Sequence, residues 1–267
     1  MRYLILISTA LLLSVNLSIL YAQEDVEVVP TSSDAEESLD LQAIAELFKD
    51  SETLEDFEKS LNNPDVGVNN LDLNDDKDVD YISVVDTVKG DTHFIILRVL
   101  LGIDDYQDIA FIEVVKTGDE EYEMEIRGDE EIYGADYRYA PAVVNLHTWP
   151  LLRFIYGPAY HPYRSIYKWG HYPVWWKPYR PVKVNVYHTR IVKYKTRKTF
   201  VFTRNRHLKT VPKIKYIPRR SKLVKKNTII KPAKKAGTNK VIKKGGKKIK
   251  TKANQKKGGK KTPGKKR

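Results

Sequence analysis

Two stretches near the start of the chain repeat their apolar positions with the period of an α-helix. The first covers residues 41–48 and follows Asp40, a residue type that favours the N-cap position. The second covers residues 54–61 and ends before Pro64, which cannot continue a helix. The pattern therefore predicts two short helices in succession.

Beyond residue 78 the apolar period falls to two, which is typical of β-strands. Residues 92–99 are almost continuously apolar and predict a central strand, whereas residues 122–126 alternate apolar side chains with Glu and predict an edge strand. Short connections favour antiparallel pairing. We therefore predict the fold class α+β, with two short helices packed on a small antiparallel β-meander. The predicted strands cover residues 79–86, 92–99, 109–116 and 122–126.

Changes in composition divide the chain into five zones. The compact domain holds the predicted helices and strands, and the zones around it are acidic, aromatic or basic. The predicted zones are a signal peptide at residues 1–22, a disordered acidic leader at 23–37, an acidic α+β domain at 38–140, an irregular aromatic and Pro-rich segment at 141–187, and a basic tail at 188–267 that is disordered at least from residue 221.

The first 22 residues have the composition of a secretory signal peptide. Arg2 supplies the positive start, residues 4–13 form the apolar stretch, and Ala22 offers a small residue before the predicted cleavage at Gln23. We therefore predict export to the periplasm, the cell envelope or the extracellular space. The sequence contains no Cys, which excludes disulfide bonds and thiolate catalysis.

The charges are distributed unequally along the chain. All 34 Asp and Glu residues precede residue 137, and 38 of the 47 Lys and Arg residues follow residue 140. Such asymmetry indicates either a partner of one sign or contact between the two halves. Self-association of the acidic domain with the basic tail is therefore one of the predicted interactions.

The last 47 residues, 221–267, contain 20 Lys or Arg, no acid and no aromatic residue. Such a segment cannot bury a core and is predicted to be disordered. Its dense positive charge predicts non-specific binding to anionic polymers. In composition it resembles the Lys-rich tails of linker histones and of bacterial histone-like proteins. For an exported protein the partners are lipopolysaccharide, acidic glycans, anionic lipids or nucleic acid. The candidate polyanion-binding residues are Lys243, Lys244, Lys247, Lys248, Lys256, Lys257, Lys260 and Lys261.

Residues 149–187 combine twelve aromatic residues with six prolines, which disfavours long helices and central strands. The rings have three interpretations. They form a surface for the membrane–water interface, they stack on sugars or bases, or they pack back on the sheet and complete its core. The candidate aromatic surface consists of Trp149, Trp169, Trp175 and Trp176.

The sharpest motif is an acidic loop before the first strand, with the spacing D-x-N-x-D-x-x-x-D. This spacing resembles the calcium loops of EF-hand and dockerin-like modules, in which alternate positions and one backbone carbonyl bind the ion. Lys77 stands where those loops have Gly, and Ser83 stands where EF-hands have a bidentate Glu. The alternative is a solvated acidic turn. The candidate Ca²⁺ ligands are Asp72, Asn74, Asp76, Asp78 and Asp80.

Residues 68–74, 79–82 and 128–134, with the later Trp-Pro and Tyr-Pro-Val-Trp-Trp runs, resemble a group of uncharacterised secreted proteins of Gram-negative bacteria. The resemblance covers about residues 39–185 and implies an envelope location, with no known activity. No G-x-S-x-G, H-E-x-x-H or Gly-rich phosphate loop is present. We therefore predict a non-enzymatic, polyanion-binding envelope protein. The alternatives are an extracellular-DNA-binding protein and a small periplasmic hydrolase.

Overall fold

Both predicted helices are present in the computed structural model, which describes residues 36–143, 145–210 and 214–224. Helix α1 spans Leu41–Asp50, and its N-cap Asp40 accepts a hydrogen bond from the backbone N–H of Ala43 at 2.9 Å. Helix α2 spans Leu54–Asn62 and is capped in the same way by Thr53. The apolar period and the capping residues therefore define these helices correctly.

Six strands form one sheet in which neighbours in sequence are neighbours in space and every pair is antiparallel. The predicted α+β class and antiparallel sheet are confirmed. The predicted meander is too small, because β6 joins the sheet only after the long connection from residue 142 to residue 199. The strands are β1 Ile82–Lys89, β2 Thr92–Gly102, β3 Asp105–Lys116, β4 Tyr122–Gly128, β5 Arg138–Pro141 and β6 Phe200–Thr203.

The prediction of an edge strand at residues 122–126 is wrong, because β4 pairs with β3 on one side and with β5 on the other. Of its two glutamates, Glu125 is buried and Glu123 is half-buried. Glu125 accepts a hydrogen bond from Arg138 of β5 at 2.8 Å, and Glu123 accepts one from the backbone N–H of Lys209 at 2.9 Å. A basic side chain of the neighbouring strand and a backbone N–H from later in the chain therefore replace part of the water on this face.

The described part of the chain contains three further α-helices besides the two predicted ones. The aromatic segment is irregular between the last two of them, as predicted. Most of its rings nevertheless pack back on the sheet and complete its core, rather than forming one exposed surface. The three helices are α3 Glu130–Tyr133, α4 Pro150–Ile155 and α5 Val184–Lys195.

Most of helix α5 and all of strand β6 lie in the predicted basic tail. The prediction is wrong here, because residues 188–203 are part of the fold and not of a separate tail. Tyr187 and Ile191 of α5 are fully buried. The Tyr187 hydroxyl accepts a hydrogen bond from the backbone N–H of Asp40 at 2.8 Å and donates one to the carbonyl of Val68 at 2.9 Å. These contacts join the second half of the chain to α1.

Residues 204–210 and 214–224, together called the strap, cross the face of the sheet that the helices leave open. Tyr216 and Ile214 of the strap pack on a small apolar cluster around Phe94 and Phe111. The rest of this contact is polar, and its centre is Asp108, whose backbone N–H donates to the carbonyl of Arg219 at 3.0 Å. The sheet is therefore covered on both faces, by helices on one and by the strap on the other.

Candidate functional site

The acidic loop winds around the carboxylate of Asp72. This carboxylate accepts hydrogen bonds from the backbone N–H groups of Asp76 at 3.1 Å and of Lys77 at 2.9 Å. Asp76 in turn accepts one from the backbone N–H of Asp78 at 2.9 Å. The alternate polar positions of the motif therefore close a tight turn through bonds to the backbone, a role for which Asp and Asn are well suited.

Two residues of the loop have left-handed backbone conformations, Asp75 at φ 63° and Lys77 at φ 73°. Lys77 is the sixth residue counted from Asp72, the position at which calcium loops of the EF-hand type require Gly for a sharp turn. The sharp turn is thus present although the Gly is missing. The Lys77 carbonyl accepts a hydrogen bond from Arg180 at 2.9 Å, which brings a positive charge to the rim of the loop.

Asp80 closes the loop from inside the protein. Its side chain is buried and accepts a hydrogen bond from the backbone N–H of Leu73 at 2.6 Å. Burial raises the pKa of Asp80 to about 8, and the charges of Asp72 and Asp76 contribute to that rise. Burial also raises the pKa of Asp72. These carboxyl groups are therefore crowded together and partly removed from water, and a bound cation would favour their charged forms.

The predicted ligands do not all converge on one point. Asp76, Asp78 and Asp80 line the same cleft, whereas Asp72 and Asn74 are not among its lining residues. Within the described residues no group of three or more His, Cys, Asp or Glu is arranged to hold a metal ion. Calcium also binds amide and backbone carbonyl oxygens, which are not counted in such a group, so calcium binding stays a prediction.

The cleft beside the loop has a volume of about 300 Å³. One part of its lining is acidic and another part is aromatic, so we name this cleft the acidic–aromatic cleft. The loop supplies the acidic wall, and the irregular segment between α4 and α5 supplies most of the aromatic one. Its lining residues are Asp76, Asp78, Val79, Asp80, Tyr81, Trp169, Gly170, Tyr172, Trp176 and Pro178.

The aromatic wall is held by ring contacts around Tyr81. Trp176 meets Tyr81 edge to face with ring centroids 5.1 Å apart, and Tyr172 lies 4.5 Å from Trp176. The Tyr81 hydroxyl donates to Glu58 of α2 at 2.8 Å, which fixes the ring from below. Trp176 is only 5% exposed, yet its indole N–H has no hydrogen-bond partner among the described residues.

The four tryptophans of the candidate aromatic surface occupy different environments. Trp149 and Trp176 are both 5% exposed and belong to the core, so a common aromatic surface of all four is ruled out. Trp149 packs on Phe200 with centroids 5.6 Å apart. Trp169 is half-buried in the wall of the cleft, and Trp175 is 43% exposed with the Lys59 ammonium 6.0 Å from its ring centroid.

Glu58 is a functional candidate that the sequence analysis does not select. It is 1% exposed and accepts hydrogen bonds from Ser165 at 2.7 Å and from the backbone N–H of Val84 at 2.8 Å, besides that of Tyr81. Burial raises its pKa, and these donors oppose the rise. Since Val84 lies on the edge strand β1, Glu58 satisfies an edge N–H that would otherwise lack a partner.

A buried Asp–His pair lies on the same side of the sheet. His93 Nδ1 is 2.7 Å from Asp86 Oδ2, and the Tyr160 hydroxyl donates to the same oxygen at 2.7 Å. Asp86 and His93 are on facing strands with Val88 paired to His93, so the hairpin register brings them together diagonally. In the sequence, only the predicted pairing of these two strands could have indicated this contact. Within the described residues, neither member of the pair is hydrogen-bonded to a Ser, Thr or Cys side chain.

The candidate polyanion-binding lysines and the predicted signal peptide and acidic leader, residues 1–35, lie outside the described residues. Comparison with protein-family models, curated proteins and solved structures finds no match. Among the helices of the described part, none is long and apolar enough to cross a lipid bilayer. A function for this chain is therefore inferred from its own charges and geometry.

Proposed function

We propose that the protein is a non-enzymatic binding protein of the bacterial cell envelope, and that its Lys-rich C-terminal segment, residues 225–267, binds anionic polymers or anionic membrane surfaces. The supporting observation is the charge balance. Residues 36–224 contain 27 Lys and Arg against 30 Asp and Glu, a formal net charge of −3. Residues 225–267 contain 19 Lys and Arg and no acid, a net charge of +19.

Part of the charge in residues 36–224 is also paired in space. Four cationic side chains from the second half of the chain pair with carboxylates of the first half on both faces of the sheet. Residues 225–267, by contrast, carry charge that is not balanced nearby in sequence. The pairs are Lys195 with Asp40 and Glu36, Arg197 with Glu46 and Asp50, Arg206 with Glu113, and Arg220 with Asp129 and Glu131.

The composition of the segment favours binding without sequence or shape selectivity. All but one of its 19 cationic residues are Lys, which lacks the rigid fork that gives Arg its geometric selectivity. Lipopolysaccharide, acidic glycans and anionic lipids supply dense negative charge in an envelope. Binding through counterion release should weaken steeply as the salt concentration rises.

The test compares the full chain with a variant in which the eight candidate lysines are Gln. We expect the variant to elute from heparin and from anionic lipid vesicles at much lower salt than the wild type. A matched variant carries eight exposed Lys→Gln changes in the folded part and should elute close to the wild type. Its positions are Lys89, Lys177, Lys183, Lys193, Lys198, Lys209, Lys215 and Lys222.

Equal losses in the two variants would show that total charge, and not this segment, determines binding. A DNA column run in parallel tests the alternative partner, since retention on DNA with none on heparin or vesicles would favour the DNA-binding function. A salt wash of the envelope fraction tests the location: wild type should be released by the wash, and the variant should already be soluble before it.

We further propose that calcium binds the acidic loop and stabilises the fold. The support is the sharp turn at Lys77 together with the carboxyl groups of Asp72, Asp76 and Asp80, which the turn gathers into one short loop. Millimolar Ca²⁺ should raise the melting temperature of the wild type above its value in a chelator. Asp76→Asn should abolish the increase, and Asp65→Asn, at an exposed site outside the loop, should retain it. An unchanged melting temperature in the wild type would contradict the proposal.

A further inference from the structure

Three charged side chains meet where the end of α5 contacts the start of α1. Lys195, the last residue of α5, places its Nζ 2.7 Å from Asp40 Oδ2 and 3.3 Å from Glu36 Oε1. The side chains of Asp40 and Glu36 are 0% and 4% exposed. An amine therefore lies against a buried carboxyl group, with a second buried carboxyl group beside it.

The two oxygens of the Asp40 carboxyl group have different environments. Oδ1 accepts the hydrogen bond from the backbone N–H of Ala43 at the N-terminus of α1, and Oδ2 faces Lys195. A backbone N–H at a helix N-terminus stabilises negative charge that develops on an oxygen. Attack by the Lys195 nitrogen on the carboxyl carbon would therefore place the new charge on Oδ1, and Oδ2 would be the oxygen that leaves.

Packing fixes the start of α1 in this position. The backbone N–H of Asp40 donates to the hydroxyl of the fully buried Tyr187 at 2.8 Å. The preceding residue, Leu39, accepts at its carbonyl from the hydroxyl of the buried Tyr133 at 2.7 Å. Reacting groups that a fold holds in contact reach effective concentrations of about 10⁵ M or more. Such concentrations, together with the exclusion of water, favour an amide over the free amine and acid.

We propose that the folded chain joins Lys195 to Asp40 by an amide bond between their side chains. Within the ion pair, one proton passes from Lys195 Nζ to Asp40 Oδ2, which gives a neutral amine and a neutral acid. Nζ then forms a bond to the Asp40 carboxyl carbon. Glu36 accepts a proton from this nitrogen and donates it to the Oδ2 hydroxyl, and the C–Oδ2 bond breaks to release water. Glu36 returns to its starting state, and nothing is oxidised or reduced.

The ion pair is the resting form of these groups. Burial lowers the pKa of Lys195, but the charges and hydrogen bonds of Asp40 and Glu36 outweigh burial and raise this pKa overall. The neutral pair that reacts is therefore a minor form, and the bond should accumulate slowly. It should form only after folding, because Asp40 and Lys195 are 155 positions apart in the chain.

The link would constrain the unfolded chain as a disulfide bond does. It closes a long loop, and cross-links of this kind stabilise a fold by restricting its unfolded state. The sequence contains no Cys that could supply a disulfide bond. The link removes one positive and one negative charge, so the formal net charge of residues 36–224 stays the same, and the proposed binding of polyanions does not depend on the link.

Mass spectrometry of the full chain, purified in its folded state, tests the proposal. We expect the wild type to be lighter by one water molecule than its unlinked chain. After denaturation and digestion with trypsin, the peptide that ends at Lys49 should be joined to residues 194–197, because trypsin does not cleave after an acylated Lys195. The full unlinked mass would overturn the proposal. So would a loss of water confined to the first peptide, since that loss indicates ring closure of an aspartyl side chain on its own backbone.

Three variants sharpen the test. Lys195→Arg keeps the positive charge opposite Asp40 but has no neutral amine, so it should show the unlinked mass and a lower melting temperature than the wild type. Lys193→Arg, at an exposed position on the same helix, should keep the link. In Glu36→Gln the link should form about 100-fold more slowly after refolding, because Gln cannot transfer the proton.

A water loss that persists in Lys195→Arg would overturn the assignment to Lys195. Equal rates of link formation in the wild type and in Glu36→Gln would overturn the role of Glu36 in proton transfer. The mass of the wild type decides whether the bond exists even where a variant does not fold. Because these measurements use no polyanion, they are independent of the heparin and vesicle experiment, and the two proposals fail separately.

Discussion

Segments from the second half of the chain pack on both faces of the sheet, but the buried carboxylates beneath them are satisfied in different ways. Beneath the aromatic segment on the helix face, Glu58 accepts only from hydroxyl and backbone N–H donors, and Asp86 accepts from a hydroxyl and faces a His. Elsewhere on that face, Asp40 pairs with Lys195. Beneath the strap, Asp108 and Glu113 pair with Arg side chains. Glu58 therefore uses neutral donors, whereas the carboxylates beneath the strap use charge.

The difference separates two kinds of sensitivity. A buried carboxylate with neutral donors keeps its desolvation penalty, and burial accordingly raises the pKa of Glu58. That face should respond to pH. Ion pairs at the surface weaken with salt, whereas a buried pair becomes costly only when one partner is removed. The strap face should therefore respond to charge removal and, at its rim, to salt.

The largest expected effect is on the strap face, at Asp108. Its carboxylate is fully buried and accepts from Arg98 Nε at 2.6 Å and from the backbone N–H of Arg219 at 2.8 Å. Asp108→Ala would leave the Arg98 guanidinium, whose side chain is 8% exposed, without its counter-ion. We expect a loss of about 4 kcal/mol in the free energy of unfolding, measured by urea denaturation.

A double variant, Arg98→Met with Asp108→Leu, is the control for this prediction. Since apolar residues of similar volume often replace a buried ion pair without loss, the double variant should recover most of the stability. A loss of no more than about 0.5 kcal/mol in the free energy of unfolding for Asp108→Ala would be typical of an exposed ion pair. It would contradict the contrast between the carboxylates beneath the strap and Glu58.

The next effect concerns the helix face, at Tyr187. Tyr187→Phe would leave the backbone N–H of Asp40 and the carbonyl of Val68 buried without a partner. We expect a loss of about 2 kcal/mol in the free energy of unfolding, with little dependence on salt. Tyr194→Phe on the same helix is the control and should cost much less. A loss for Tyr187→Phe that disappears in high salt would contradict the neutral character of this contact.

The sequence predicts the parts of the fold that local periodicity specifies. The helices after Asp40 and Thr53 and the hairpin turn at Gly90, where φ is 58°, all follow from patterns within about ten residues. Strands β5 and β6 do not. Each has four residues, and their pairing joins positions about 60 residues apart, so no local pattern indicates it.

Helix α5 was missed for a different reason. Its buried residues Tyr187, Ile191 and Tyr194 have helical spacing. Exposed Val186 and Val192 are next to Tyr187 and Ile191 in sequence, and β-branched residues next to aromatic ones favour the interpretation as a strand. The candidate site divides in the same way. The acidic loop follows from its spacing, whereas the aromatic wall of the cleft depends on residues about 100 positions later.

A third prediction uses pH to test the helix face. The raised pKa of Glu58 means that the folded state holds its proton more strongly than the unfolded state does. This group therefore lowers stability as pH rises from the ordinary glutamate range through the raised pKa. In Glu58→Gln that part of the pH dependence should disappear, measured as the slope of unfolding free energy against pH. Glu55→Gln, an exposed neighbour on α2, should keep the slope.

The smallest effect is expected at the rim of the strap. Arg206 pairs with Glu113 at 3.2 Å and its side chain is 39% exposed, while Glu113 also has Arg127 as a partner at 2.9 Å. Arg206→Gln should cost about 0.5 kcal/mol at low salt, and the cost should vanish at one molar salt. Because Asp108→Ala should keep its cost in that salt, the two responses together separate the buried centre of the strap from its rim. A rim cost that persists in high salt would mean that this side chain stabilises the fold mainly by packing, as the long stem of Arg can.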